Sequence, residues 1–190
     1  MAQFEPAFAA TMKHEGGYAN NPADKGGETY RGISRKNWPG WDGWPDVDRI
    51  KLKMSDDNII NEAKIHPSSL ISHLSSILAA NADLQGRVRN FYKRNFWMPQ
   101  MDEINDQELI NWLFDKGVNM GIGRAYKLLQ RALHVDEDGV IGMQTRKAIN
   151  EADPAELLEA CRNEAKRYYT NIALHDPTQS RFLQGWLARA

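Results

Sequence analysis

Two carboxylates and a hydroxyl follow one another in a glycine-rich stretch near the start of the chain. They are Glu15, Asp24 and Thr29, within HEGGYANNPADKGGETYRGIS at residues 14–34. Such a set can perform acid–base cleavage of a glycosidic bond with inversion. One carboxylic acid protonates the leaving oxygen, while the second carboxylate, helped by the hydroxyl, positions a water molecule on the opposite face of the sugar.

The surroundings of Glu15 decide whether it suits the acid's role. Phe4, Phe8 and Met12 recur every four residues and predict a first helix, with Gly16-Gly17 as its left-handed cap. At about 100° per residue, Glu15 projects from the same apolar face. Apolar surroundings favour the protonated form of a carboxyl group, which a general acid requires. The alternative is that Glu15 frays into solvent at the helix end.

The other two groups each have a structural alternative. Asp24 in NPADKGG is equally consistent with an Asx turn, and Thr29 with an ordinary strand position. Flat aromatic faces, amides and closely approachable glycine backbone are the groups that recognise sugars. The candidates for that role are Tyr18, Asn20, Asn21, Gly27, Tyr30 and Trp41. Proline follows both Trp38 and Trp44, and we assign these two to the core.

Composition excludes several other functions. The net charge of −1 offers nucleic acid no basic surface, and no apolar run is long enough to insert into a membrane. The five His residues form no cluster with metal-ligand spacing, so we expect neither metal nor cofactor. The single Cys161 forms no internal disulfide and is expected to be a packed thiol. The N-terminus lacks the basic region of a secretory signal.

The elements that must position these residues are mainly helices. A small β-hairpin is predicted around Thr29–Ile33, and a helix is expected to begin at Ser55-Asp56-Asp57. Further helical patterns lie in SLISHLSSILAA, LQGRVRNFYKRNFW, DQELINWLFDKGVNMG, RAYKLLQRAL and MQTRKAINEA. A long helix begins after Asp153 as N-cap, and a short one carries Trp186. A break at Met98-Pro99 predicts lobes 1–98 and 99–190, packed as one compact unit.

The loop motif resembles the signature of glycoside hydrolase family 108, which comprises lysozyme-like N-acetylmuramidases of phages and bacteria. The Glu of its E-G-G-Y motif matches Glu15, which the resemblance implies is the catalytic acid. The order Glu, Asp, Thr is also similar to the catalytic trio of phage-type lysozymes, with a gap between Asp24 and Thr29 that is one residue shorter here. The segments LFDKGVNMGIGRAYKLLQRAL and DGVIGMQTRKAI resemble the predicted peptidoglycan-binding domain that accompanies this family.

The resemblance implies a lysozyme-like, mainly α fold and hydrolysis of the β-1,4 bond between N-acetylmuramic acid and N-acetylglucosamine. The expected partner is the peptidoglycan glycan strand, as for an endolysin, autolysin or secretion activator. The protein would be made in the bacterial cytoplasm and act on the wall, with a holin or a secretion system for export. Two alternatives stay open: a lytic transglycosylase, and a non-catalytic wall-binding or secretion-accessory protein.

Overall fold

The chain forms two compact units, residues 11–95 and residues 1–10 together with 96–190. The computed structural model describes residues 1–20, 27–56 and 67–190. The predicted lobes 1–98 and 99–190 stay a prediction. In chain order the elements are α1 (Phe4–Met12), β1 (Tyr18–Asn20), β2 (Glu28–Tyr30), β3 (Ile33–Ser34), α2 (Trp44–Asp56), α3 (Pro67–Ala80), α4 (Ala82–Phe96), a 3₁₀ turn (Pro99–Glu103), α5 (Gln107–Met120), α6 (Ile122–Ala132), α7 (Met143–Glu151), α8 (Pro154–His175), a second 3₁₀ turn (Pro177–Gln179) and α9 (Ser180–Arg189).

The predicted mainly α fold is confirmed, and the predicted hairpin belongs to a three-stranded antiparallel sheet in the order β1-β2-β3. Tyr30 pairs with Tyr18 on one side and with Ile33 on the other. Between β2 and β3, Arg31 and Gly32 have φ values of 48° and 76°. Positive φ at both central residues of a two-residue loop defines a type I′ turn, which matches the twist of the strands.

A charged cluster fastens this sheet to α2. Glu28 accepts hydrogen bonds from Tyr18 Oη and Lys51 Nζ, both at 2.7 Å, and from Arg35 Nε. Arg35 also donates to both carboxylate oxygens of Asp48. Burial alone would raise the pKa of Glu28, but the hydrogen bonds from Lys51, Tyr18 and Arg35 outweigh it and lower that pKa. Glu28 therefore stays ionised, and its hydrogen bonds link the sheet to Lys51 of α2.

Two helices of the other unit begin where local signals predict them. Asp106 caps α5 by accepting the Leu109 N–H, and Asp153 caps α8 by accepting the N–H groups of Ala155 and Glu156. Cys161 is fully buried on α8, and burial raises the pKa of its thiol to about 12. The expectation of a packed thiol is confirmed. Among the residues described, no helix is both long and apolar enough to cross a bilayer.

Two local predictions are wrong. Gly16 and Gly17 do not have positive φ, so α1 ends without the left-handed cap. Gly17 instead lies so close to Ser75 that a Cβ there would stand 2.9 Å from the Ser75 hydroxyl oxygen. Ser55 and Asp56 are the last residues of α2, which starts at Trp44, so the predicted helix does not begin at either of them. Asp57 lies outside the described residues.

A buried charge cluster joins α9 to α5. Lys116 is 0% exposed and donates to Asp115 Oδ2 at 3.0 Å and to the backbone carbonyl of Arg189. The Arg189 guanidinium donates to both oxygens of Asp115. Burial opposes ionisation of Asp115, but Arg189 and Lys116 outweigh that effect and lower its pKa. These contacts give Asp115 a structural role in helix packing.

Replacing Arg189 by Met is expected to lower the free energy of unfolding at pH 7 by roughly 1.5–3 kcal/mol, because charge-assisted hydrogen bonds to a buried carboxylate are lost. The Asp115 pKa is lowered in the folded state, so the difference from wild type should be present above the usual aspartate pKa. It should shrink as pH falls through the folded-state value. Urea unfolding at pH 7 and pH 3 measures both.

The control for this variant is Arg146→Met, which breaks an exposed ion pair with Glu103. Exposed pairs contribute less than about 1 kcal/mol. Equal losses from the two variants, or a loss at Arg189 that does not change with pH, would contradict the role of the buried cluster.

Candidate active site

Glu15 lies beyond the first helix. Helix α1 ends at Met12, and the His14 N–H donates to the Thr11 carbonyl at 2.9 Å as the chain turns away. The position of Glu15 on a helical apolar face is therefore not realised. Its side chain is half-buried instead of frayed into solvent, and its surroundings come from residues far along the chain.

The glycine of the β2–β3 turn is the closest of these. A Cβ added at Gly32 would stand 2.3 Å from Glu15 Oε2 and 2.7 Å from Tyr92 Oη. Neither approach is possible for a real side chain, so the carboxyl and the phenol occupy the space that a side chain at Gly32 would need. Gly32 serves two purposes here, because the type I′ turn also requires its positive φ.

Tyr92 holds the same turn from the helix side. It is 2% exposed on α4, and its hydroxyl donates to the Arg31 carbonyl at 2.6 Å. Because its hydrogen is directed to that carbonyl, Tyr92 fixes the turn against which Glu15 packs. A half-buried carboxyl beside the exposed Gly32, which has no side chain, can approach the leaving oxygen of a substrate.

Of the other two predicted catalytic residues, Thr29 and Asp24, the structure describes only Thr29. Thr29 is half-buried at the middle of β2, where it pairs with Ala19 and Ser34. Because side chains alternate along a strand, Thr29 faces away from Glu28 and Tyr30. Asp24 lies outside the described residues, so its role and that of Thr29 stay predictions.

The structure places three predicted sugar-binding aromatics in the core. Tyr30 is 0% exposed and accepts from Gln85 Nε2, while Tyr18 is 6% exposed and bonded to Glu28. Trp41 is 7% exposed, and its ring packs on Gly43 and edge-on against Trp44. A ring that is covered on its faces cannot stack on a sugar, so this correction removes all three as stacking platforms.

The remaining predicted binding residues are polar or small. Asn20 ends β1 and is exposed, and Gly27 has φ of 66° with no atom of the described residues within 4 Å of the position that a Cβ would occupy. Asn21 lies outside the described residues. Gly27 and Asn20 therefore remain accessible to a ligand.

Trp38 is exposed, which contradicts the core position predicted from the proline that follows it. It is 40% exposed, whereas Trp44 is 2% exposed as expected. Trp38 borders a cavity of about 380 Å³, whose other lining residues include Asn37, Asn90, Phe91, Arg94 and Asn95. The following proline was a poor guide, because Pro45 lies at the start of a helix and Pro39 in a turn.

Over residues 1–20, 27–56 and 67–190, no group of three or more His, Cys, Asp or Glu side chains could hold a metal ion. Among the residues described, the groups available to a substrate include the Glu15 carboxyl, the exposed backbone at Gly32, Asn20 and Gly27.

Comparison with known proteins agrees with this architecture. The family model described as Glycosyl hydrolase 108 matches residues 8–121, and the one described as Predicted Peptidoglycan domain matches residues 124–190. The structure of Brucella abortus SagA is similar in fold, with a TM-score of 0.64 and 22% identity. The alignment covers 98% of this chain and 88% of that chain. A search of curated proteins found no match. Because the first family model spans more than half of the sequence, the chain belongs to glycosyl hydrolase family 108, and with its predicted peptidoglycan domain it is a hydrolase of peptidoglycan.

Proposed function

We propose that this chain hydrolyses the β-1,4 bond between N-acetylmuramic acid and N-acetylglucosamine, with Glu15 as the general acid. The observation that carries the proposal is the position of the Glu15 carboxyl, packed on the glycine of an exposed β-turn that Tyr92 holds in place. The match to the Predicted Peptidoglycan domain supports a glycan strand of the cell wall as the substrate.

The proposed reaction has two coupled parts. Glu15 gives its proton to the bridging oxygen, so the bond from that oxygen to the anomeric carbon breaks as positive charge develops on the sugar. A water molecule adds to the anomeric carbon from the opposite face and loses its proton to a base. We assign the base and the orientation of this water to Asp24, with Thr29 as helper.

The absence of a side chain at Gly32 serves this geometry. Because Gly32 is exposed and has no side chain, a glycan strand can come close to the carboxyl, while the buried Tyr92 holds the turn in position. Holding an acid within hydrogen-bond reach of the leaving oxygen is the geometric condition for general acid catalysis.

Mass spectrometry of the products tests the reaction type. Purified peptidoglycan treated with the protein is expected to release fragments with reducing ends, each carrying one added water per cut. Anhydro-muramoyl ends would instead identify a lytic transglycosylase, in which a hydroxyl of the substrate attacks. Binding to insoluble peptidoglycan without soluble products would identify a non-catalytic wall-binding protein. Either of these two results would overturn the hydrolase proposal.

We further propose that the protein acts on the wall and reaches it through a holin or a secretion system. Lysis that requires co-expression of a pore or secretion apparatus would support this route, whereas lysis by the protein expressed alone would contradict it.

A further inference from the structure

The exposed face of Trp38 is held rigidly. Its backbone N–H donates to the Ser34 carbonyl, and its own carbonyl accepts from Trp44 Nε1, both at 2.8 Å. Its ring meets Phe91 edge-on, with centroids 4.9 Å apart and planes at 88°. An aromatic side chain that is fixed on one side and 40% exposed on the other is a preformed surface for stacking.

Three asparagine side chains line the same cavity as Trp38. Asn37 and Asn90 are exposed, and Asn95 is half-buried. Asn95 uses its Nδ2 to donate to the Phe91 carbonyl at 2.8 Å, which fixes the orientation of the amide and leaves its oxygen to accept a further bond. Amides beside an aromatic face match a sugar that carries an N-acetyl group. The sugar ring can stack on the aromatic face, and the acetamide can form hydrogen bonds with the amides.

A cation stands at the edge of the same cavity. Arg94 is exposed on α4, one helical turn from Asn90, and no carboxylate of residues 1–20, 27–56 or 67–190 forms an ion pair with it. Asp42 also lines the cavity, and its carboxylate is paired with Arg87. A guanidinium in this position favours a ligand that carries a carboxylate, which it can bind through two parallel hydrogen bonds.

We propose that this cavity, lined by Trp38, Asn95 and Arg94, is a glycan subsite for an N-acetylated amino sugar that bears a carboxylate on its substituent. This inference rests on the proposed function, in which the muramoyl residues of peptidoglycan are such sugars, with carboxylates on the lactyl or peptide arm. Helix α4 carries several lining residues of the cavity and also Tyr92, which supports the turn beside Glu15. A glycan strand bound in the cavity would therefore be held by the unit that contains the acid.

Equilibrium binding to the full chain tests the subsite without turnover if every protein carries Glu15→Gln. Calorimetry measures the dissociation constants of two ligands. One is a soluble peptidoglycan tetrasaccharide that carries its peptides, and the other is a tetramer of N-acetylglucosamine. Trp38→Ala is expected to weaken binding of both about tenfold, because the stacking surface is lost. Arg94→Gln is expected to weaken only the carboxylate-bearing ligand, and Arg94→Lys less so.

The matched control is Ile71→Ala. Ile71 is 37% exposed, similar to Trp38, and lies in the same unit, so its replacement should leave binding unchanged. Near-ultraviolet circular dichroism shows whether the Trp38 variant is folded. If it is not, the variants of the exposed Arg94 test the subsite independently. Unchanged affinity for both ligands in the Arg94→Gln and folded Trp38→Ala proteins would overturn the subsite. The products of the wild-type protein are analysed in a separate experiment. Failure of the subsite proposal can therefore be distinguished from failure of the hydrolase proposal.

Discussion

Glu15→Gln is expected to fold normally and to clear a cell-wall suspension about 10²–10⁴-fold more slowly than wild type, the usual contribution of a general acid. Glutamine keeps the shape of the side chain and its packing against Gly32 but has no proton of comparable acidity to donate. The rate is measured as loss of turbidity at equal concentrations of folded protein, with the fold followed by circular dichroism.

A matched substitution separates this effect from a general loss of charge. Glu108 is exposed in the first turn of α5, and Glu108→Gln is expected to keep full activity. If the Glu15 variant retained near-wild-type lytic activity, the assignment of the acid would be rejected and the search would move to another carboxylate.

Gly32→Ala is expected to be the most damaging change outside the acid itself, with activity about 10²-fold lower per folded molecule. The new methyl group would stand 2.3 Å from Glu15 Oε2 and 2.7 Å from Tyr92 Oη, so the carboxyl must move away from its place on the turn. A displacement of about 1 Å at a catalytic group is enough for such a loss. The side chain also strains the backbone at φ of 76°, by about 1 kcal/mol.

Gly121→Ala controls for the backbone strain. Gly121 has φ of 89°, and no atom of the described part of the chain lies within 4 Å of the added Cβ, so this variant should lose stability without losing activity per folded molecule. Thermal unfolding and turbidity assays on both variants separate the two contributions. If Gly32→Ala behaved like Gly121→Ala, with stability reduced and the specific rate intact, Gly32 would have no part in placing the acid.

The helical part of the fold was largely predictable because its signals are local. Asp153, Pro154 and the residues that follow predict the start of α8, and the cap bonds that form there join atoms at most three residues apart. The hairpin was predictable for the same reason, since its turn lies between adjacent strands. The start of α2 was not, because Trp44 begins that helix inside a run of proline, glycine and tryptophan.

The exposure of the aromatic side chains was not predictable from their neighbours in sequence. Trp38, Trp41 and Trp44 stand in one short stretch, WPGWDGWP, with nearly the same local surroundings. Trp41 is covered because it packs against the rings of Tyr30, Trp44 and Phe91. Trp38 meets the edge of Phe91 and stays 40% exposed. Contacts with distant elements decide which ring remains available to a ligand.

The sequence by itself determined the helical class, the hairpin and the identity of the candidate acid, because caps, turns and a loop motif are encoded within a few consecutive residues. Only the tertiary structure decided what surrounds Glu15. Gly32 makes room for its carboxyl, and Tyr92 arrives from a helix late in the same unit. Burial and close approach depend on pairs of residues that are far apart along the chain, and such pairs acquire their distances only when the elements pack.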